Sequence, residues 1–222
     1  MAKLKSAGFL FLLFATLDIV GIAFKIPMLV LVSKPFILLS LLYLYYISVA
    51  KLNKWYVFAL VFSFFGDVLL MFKGEIYFIT GLISFLTAHV FFIKIVLKRI
   101  QNQNLLNVLT SLIPFVGLFL LLIFIIKDSV GALLLPVIIY GLTISAFGTV
   151  SLIEYRSSLS KKSLFMLLGA VVFIASDSLL AINKFHLQAH LFDISIMVTY
   201  VLAQYLIYRS MILQTEKSSN QH

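Results

Sequence analysis

The stretch "VGLFLLLIFII", residues 116–126, contains no charged side chain and no alternation of apolar and polar residues. A strand of a transmembrane barrel would alternate with a period of two, so this stretch is typical of a helix in an apolar environment. Similar runs recur along the chain: of its 222 residues 63% are hydrophobic and only 11% are charged. This composition excludes an ordinary soluble domain and predicts an integral membrane protein. Because amides in hydrocarbon must be hydrogen-bonded within their own segment, we expect a helical bundle.

Charged, proline and asparagine residues divide the apolar sequence into about eight spans, each near the roughly 20 residues that cross a bilayer. No soluble domain is inserted between them, so the sequence predicts one all-α domain over residues 1–222. It would be a polytopic bundle of about eight transmembrane helices. The predicted spans are 7–24, 34–50, 55–72, 77–97, 106–126, 130–150, 163–182 and 191–212.

The 17 lysine and arginine residues fall unevenly between the two ends of these spans. Because cytoplasmic loops are rich in lysine and arginine, the more basic end predicts that both termini are cytoplasmic. The net charge of +9 comes from scattered residues and not from one basic stripe, so nucleic acid is not an expected partner. The expected location is a membrane, the cell membrane if the protein is bacterial. The less basic end carries Lys25, Lys34, Lys73, Lys127 and Lys184.

Polar side chains inside the spans are the candidates for function. The stretch "FSFFGDVLLM", residues 62–71, sets Asp67 in an apolar run, and Asp177 has a similar setting. A carboxylate in a membrane helix costs at least about 2.5 kcal/mol, so it is rarely retained without a use. At a rise of about 1.5 Å per residue, both carboxyls lie beyond the midplane toward the outer face. We expect them to share a cavity with Lys34, His89, Tyr140, Lys184, Tyr200 and Gln204.

Two buried carboxyls suggest acid/base hydrolysis in which one is protonated and the other ionised. Asp177 and Lys184 are seven residues apart on one helix face, which favours an ionised Asp177. Asp67 has no cation in its own span, which favours a protonated Asp67, although the reverse assignment of acid and base stays open. We expect Asp18 to pair with a neighbouring helix or with Lys25. Glu154 is interpreted as a solvated loop charge.

Two other classes of function stay open on these residues. In the string "HLQAH", His186 and His190 have a common metal-ligand spacing, and His89 or Asp193 could complete the shell of a metal-dependent lipid hydrolase. Alternatively Asp67, His89 and Asp177 could form the proton relay of a small transporter. Broken helices or an inverted repeat would favour a transporter, and the sequence shows neither clearly. The chain has no cysteine, which excludes thiolate catalysis.

Four strings carry a resemblance to a known family: "GDVLLM" at 66–71, "GLISFLTAHVFF" at 81–92, "GAVVFIASDSLLAINKF" at 169–185 and "TYVLAQYLI" at 199–207. The string "SKPFILL" at 33–39 is a weaker match. In order and spacing these strings resemble the YhhN family of membrane lysoplasmalogenases, over about residues 30–210. The resemblance implies an eight-span bundle. The sequence departs from the family pattern at Phe92, where many members have a tyrosine.

The resemblance also implies an activity, the hydrolysis of the vinyl ether bond of a lysoplasmalogen. The products would be a fatty aldehyde and glycerophosphoethanolamine or glycerophosphocholine. Asp67 and Asp177 would be the catalytic pair, and Lys34 and Lys184 would hold the substrate phosphate. The expected partners are the lysophospholipid substrate and membrane lipids, and neither a metal nor another cofactor is expected. The other residues implied to line the site are His89, Tyr140 and Tyr200.

Overall fold

The computed structural model describes residues 2–101 and 103–219, and these residues form an all-helical fold. They contain eight α-helices and a short 3-10 turn, Gly131–Leu133, with no strand in these two ranges. The prediction of an all-α protein is confirmed. The helices are α1 Ala2–Ala23, α2 Pro27–Ser48, α3 Lys54–Leu70, α4 Glu75–Leu97, α5 Leu105–Ile126, α6 Leu134–Ser158, α7 Lys161–Phe185 and α8 His190–Ser219.

Seven of the eight helices in the described ranges are long and apolar enough to cross a membrane. The eighth, α3, has 17 residues. That length is at the lower limit of the roughly 17–25 residues that cross a hydrocarbon core. The prediction of about eight spans is thus confirmed for seven helices by length and composition. The cytoplasmic location of both termini and the single domain over 1–222 stay predictions.

Helix α2 begins at Pro27, seven residues before the predicted span 34–50. Proline suits the first turn of a helix, where its missing N–H would have no partner in any case. Lys34 therefore lies inside α2 and not at its beginning. The turn from α1 is tight, because Gly21 lets Val30 approach: a Cβ at Gly21 would lie 2.9 Å from Val30 Cγ2. This packing sets Lys34 against α1.

Three helical hairpins, α1–α2, α3–α4 and α7–α8, make the most extensive contacts of the fold. Glycine allows close approach in two of them. Gly66 of α3 faces the ring of Phe85 on α4, and Gly169 of α7 faces Ile207 of α8. Helix α6 packs on α4, α5 and α7, while α8 returns to α1 and α2. The turns of the three hairpins meet at one end of the bundle and surround the cavity described below.

A buried charge network lies at the opposite ends of the helices. Arg99, just after α4, has Nη1 3.6 Å from Glu154 Oε1, and the side chain of Glu154 is only 1% exposed. Lys162 Nζ lies 3.8 Å from the same oxygen. Arg99 also donates hydrogen bonds to Ser210 Oγ at 3.1 Å and to Gln214 Oε1 at 2.5 Å. The interpretation of Glu154 as a solvated loop charge is wrong, because α6 continues to Ser158, beyond the predicted end of its span at residue 150.

Candidate active site

The main cavity has a volume of about 1010 Å³ and lies among the turns of the three hairpins. Asp67 of α3 and Asp177 of α7 both line it, although 110 residues separate them in the sequence. The shared cavity that the sequence predicts for these two residues is present. Its wall also includes Lys34, Lys184, Asp193 and Tyr200.

Asp67 lies on α3 directly after Gly66. A Cβ at Gly66 would lie 2.5 Å from Phe85 Cδ2, so glycine lets α4 pack closely at this level. Tyr200 of α8 donates a hydrogen bond of 2.7 Å from its hydroxyl to Asp67 Oδ2. Gln204, one turn further along α8, donates from Nε2 to the Tyr200 hydroxyl at 3.3 Å. The Asp67 carboxyl is thus fixed by a chain of hydrogen bonds from α8.

Asp177 has a tyrosine partner on a different helix. Tyr140 of α6 donates a hydrogen bond from its hydroxyl to Asp177 Oδ2. The neighbouring Ser176 donates to the carbonyl of Ile196 at 3.0 Å, which fixes α7 against α8. Asp177 also lines a second, almost entirely apolar cavity of about 60 Å³ whose other walls include Phe78, Leu82, Phe119 and Val137. The Asp177 carboxyl therefore lies between a polar opening and an apolar slot.

Lys34 reaches the main cavity from α2, and α1 supplies its counter-ion. Its ammonium lies 3.4 Å from Asp18 Oδ2, and the Asp18 side chain is fully buried. Ser33 donates to the other Asp18 oxygen at 3.1 Å. On its other side Lys34 contacts the sulfur of Met197 on α8 at 3.5 Å. Of the two partners expected for Asp18, the neighbouring helix is the one observed, and Lys25 is not.

Lys184 lies at the edge of the cavity, with its ammonium 4.2 Å from the ring centroid of Phe78. The prediction that it provides the charge beside Asp177 is wrong, because the partner of Asp177 is Tyr140. Seven residues place two side chains on one helix face, but they also separate them by about 10 Å along the axis. Lys184 is exposed and free to meet an anion at the opening.

His89 and Gln204 lie behind the cavity wall and not on it. His89 is fully buried, its Nδ1 lies 2.7 Å from the carbonyl oxygen of Phe85, and its ring packs against those of Tyr140 and Phe173. Gln204 is also fully buried and contacts Tyr200. Each of them contacts a tyrosine that donates a hydrogen bond to one of the two carboxyls. Neither residue lines the main cavity, and Tyr140 lines the second cavity instead; the assignment of all three to the substrate site stays a prediction.

The histidines of the metal-dependent alternative lie in different parts of the bundle. His190 opens α8, with Nε2 3.2 Å from the carbonyl of Ala23 and Nδ1 3.7 Å from Asp193. His89 is buried among aromatic rings elsewhere in the bundle, so it does not join His190 in a ligand shell. In the described ranges no three histidine, cysteine, aspartate or glutamate side chains converge as a metal-ligand set. Each of the eight helices is continuous, in contrast to the broken helices typical of many transporters.

The contact of Met197 with Lys34 and the pairing of Lys34 with Asp18 could not be predicted from the sequence. Both depend on contacts between helices that no single span reveals. The only signal was that Asp18 and Lys34 lie at similar depths in consecutive spans, which a short turn brings side by side. Asp193 also reaches the cavity wall, where its Oδ1 accepts a hydrogen bond of 2.7 Å from Asn183.

The fold and the cavity define a class of all-helical protein with helices long and apolar enough to cross a membrane, in which two aspartates from distant helices, each hydrogen-bonded to a tyrosine, line one cavity. The model of the YhhN family matches residues 29–211, which is most of the chain, and the chain belongs to this family. The matched range includes Lys34 and both carboxyls but not α1, which carries Asp18. No curated protein matches the chain. No solved structure matches it.

Proposed function

We propose that the protein hydrolyses the vinyl ether bond of lysoplasmalogens and releases a fatty aldehyde and glycerophosphoethanolamine or glycerophosphocholine. The observation that carries this proposal is the pair Asp67 and Asp177, which meet at one cavity of about 1010 Å³ in a bundle of membrane-compatible helices. Membership in the YhhN family supports it.

The chemistry of vinyl ethers suits two carboxyls that differ in protonation. Proton transfer to the β-carbon produces an oxocarbenium ion, and water then adds to give a hemiacetal. The hemiacetal collapses to an aldehyde and an alcohol. A neutral carboxyl supplies the first proton, and an ionised carboxylate stabilises the cation and accepts a proton from water. The only co-reactant is water.

The shape of the cavity suits a lipid with one chain. Its opening carries Lys25 and Lys184, which are exposed and can bind the phosphate of the head group. Deeper, the cavity contains the two carboxyls, and the apolar slot beside Asp177 offers a path for the first carbons of the chain. The vinyl ether lies between the head group and the chain, so a substrate bound in this way would have its vinyl ether beside the carboxyls.

The decisive experiment incubates purified protein with a lysoplasmalogen in D₂O and reduces the aldehyde at once with borohydride. We expect one deuterium on the carbon that was the β-carbon of the vinyl ether. Two matched substrates are the controls: a 1-O-alkyl lysophospholipid, which has no double bond to protonate, and a 1-acyl lysophospholipid, which contains an ester. Cleavage of either control at a similar rate, or no aldehyde from the vinyl ether, would contradict the proposal.

The two tyrosines should contribute to catalysis by holding the carboxyls in position. Tyr140→Phe and Tyr200→Phe each remove one hydroxyl that donates to a carboxyl and keep the ring packing. A hydrogen bond contributes roughly 0.5–1.5 kcal/mol to a neutral group and roughly 1.5–3 kcal/mol to a charged one, so we expect kcat to fall by about 3-fold at the neutral carboxyl and by about 10-fold or more at the ionised one. The matched control is Tyr208→Phe, which removes a buried hydroxyl bonded to Ser48 on α2, away from the cavity. Equal rates for all three variants would refute this role.

A further inference from the structure

The surroundings of the two carboxyls are not equivalent. Asp67 accepts a hydrogen bond from Tyr200 and lines the same cavity as Lys34, whose ammonium contacts Met197 one turn before Tyr200. Asp177 accepts a hydrogen bond from Tyr140 and shares the cavity with Asp67. A cation favours the ionised form of a carboxyl, whereas a neighbouring carboxylate favours the protonated form. These surroundings favour an ionised Asp67 and a protonated Asp177.

We propose that Asp18 is a positioning residue that holds Lys34 beside Asp67, so that Asp67 is the ionised base and Asp177 the proton donor. This inference rests on the vinyl ether hydrolysis proposed above and assigns the roles within it. It reverses the assignment expected from the sequence, in which Lys184 was the cation and Asp67 the acid.

The position of Lys34 follows from contacts on both of its sides. Its ammonium lies 3.4 Å from the buried Asp18 carboxylate and 3.5 Å from the sulfur of Met197. Met197 is one helical turn before Tyr200, whose hydroxyl is 2.7 Å from Asp67. Asp18 thus holds the ammonium against α8 at the level of the Asp67–Tyr200 hydrogen bond.

The same contacts make Lys34 a poor phosphate ligand. Its side chain is only 18% exposed, and its charge is already paired with Asp18. It lies seven residues along α2 from Pro27, or about 10 Å from the beginning of the helix. Lys25 and Lys184 are exposed at the opening, where a head group would arrive first. Its charge is instead held in the cavity that Asp67 lines.

In the part of the chain that the structure describes, Lys34 is the cation nearest to the Asp67–Tyr200 hydrogen bond along α8. The titratable groups around Asp67 are Lys34 from α2 with its partner Asp18 from α1, Tyr200 from α8 and Asp177 from α7. On α4 the adjacent residue is Phe85, which does not titrate, and His89 one turn further packs against Tyr140 and Phe173. Lys184 is directed to the Phe78 ring.

The assignment gives a complete proton balance. Asp177 transfers its proton to the β-carbon, whose π electrons form the new C–H bond. Asp67 accepts a proton from the water that adds to the oxocarbenium ion. In the collapse Asp67 returns this proton to the ether oxygen as the C–O bond breaks, and Asp177 takes the hydroxyl proton of the hemiacetal. Both carboxyls then have their starting charges.

The test is the pH dependence of kcat for lysoplasmalogen cleavage. The rising limb reports ionisation of the base, and the falling limb reports loss of the proton from the acid. Without Lys34 the ionised form of Asp67 is less favourable, so in Lys34→Gln the rising limb moves to higher pH by about one unit. Asp18→Asn also moves it upward, because Lys34 is no longer held. If Asp18 acted only through its own negative charge, its removal would move the limb downward.

Two matched variants complete the test. Lys34→Arg retains the cation and keeps the rising limb in place, while Lys184→Met removes an exposed cation of the same cavity and raises KM without moving either limb. If Lys34→Gln does not fold, the double variant Asp18→Asn with Lys34→Met removes both buried charges and should show a smaller upward shift, because loss of the Asp18 charge offsets part of the loss of the cation. Movement of the falling limb, or a rise in KM alone, would overturn this inference while leaving the proposed hydrolysis intact. Absence of aldehyde from the unmodified protein would instead refute the proposed function.

Discussion

Replacement of Asp177 by asparagine is expected to lower kcat for lysoplasmalogen cleavage by about 10²–10⁴-fold, the usual range for loss of a general acid or base. Asparagine has nearly the shape of aspartate and still accepts a hydrogen bond from Tyr140, but it cannot supply a proton to carbon. Asp67→Asn should cause a loss of similar size, because an amide cannot accept the proton of water. Aldehyde release by purified protein in detergent or vesicles measures both effects.

The control for this pair is Asp128→Asn, which changes an exposed carboxylate in the turn between α5 and α6. It should leave both kcat and KM within experimental error of the unmodified protein. Thermal unfolding of all three variants should show that each is folded. Near-normal turnover by either cavity variant, with the fold retained, would remove the basis for a two-carboxyl reaction.

The largest effect on stability is expected from Arg99→Met. This change leaves Glu154, whose side chain is 1% exposed, without its guanidinium partner. Removal of one member of a buried ion pair destabilises by about 3–5 kcal/mol, and we expect a loss near the lower end because the partly exposed Lys162 still compensates part of the Glu154 charge. Burial lowers the pKa of the Arg99 guanidinium, and the charge of Glu154 opposes that shift. We expect a clearly lower midpoint of thermal unfolding in a fixed detergent.

Two further variants separate loss of charge pairing from loss of packing. Lys98→Met removes an adjacent exposed cation and should change the midpoint little. Addition of Glu154→Met to Arg99→Met should recover a large part of the loss, since no buried charge then remains without its partner. If the double variant is as unstable as the sum of two large losses, the network stabilises the fold by contacts other than the ion pair.

The all-helical fold and the two candidate aspartates could be predicted because each is evident from a short stretch of sequence. Long apolar runs indicate membrane helices without knowledge of their neighbours. An aspartate within such a run is equally conspicuous, which is why Asp67 and Asp177 were identified. Membership in the YhhN family is confirmed over residues 29–211.

Contacts between helices could not be predicted in this way. Helical periodicity indicates the direction of a side chain but not which neighbouring helix it meets, so the partner of Asp177 was taken to be Lys184 when it is Tyr140. The same limit hid the pairing of Lys34 with Asp18. The error at Glu154 has a different origin, since the end of α6 was set too early and a buried residue was read as part of a loop.

Helix α1 supplies part of the electrostatic environment of the cavity, although the family match begins at residue 29. A chimera that replaced α1 with an unrelated apolar helix would keep both carboxyls and both tyrosines. Lys34 would then have lost its counter-ion Asp18. A design that transfers this cavity to another helical bundle therefore has to include α1 and α2 together.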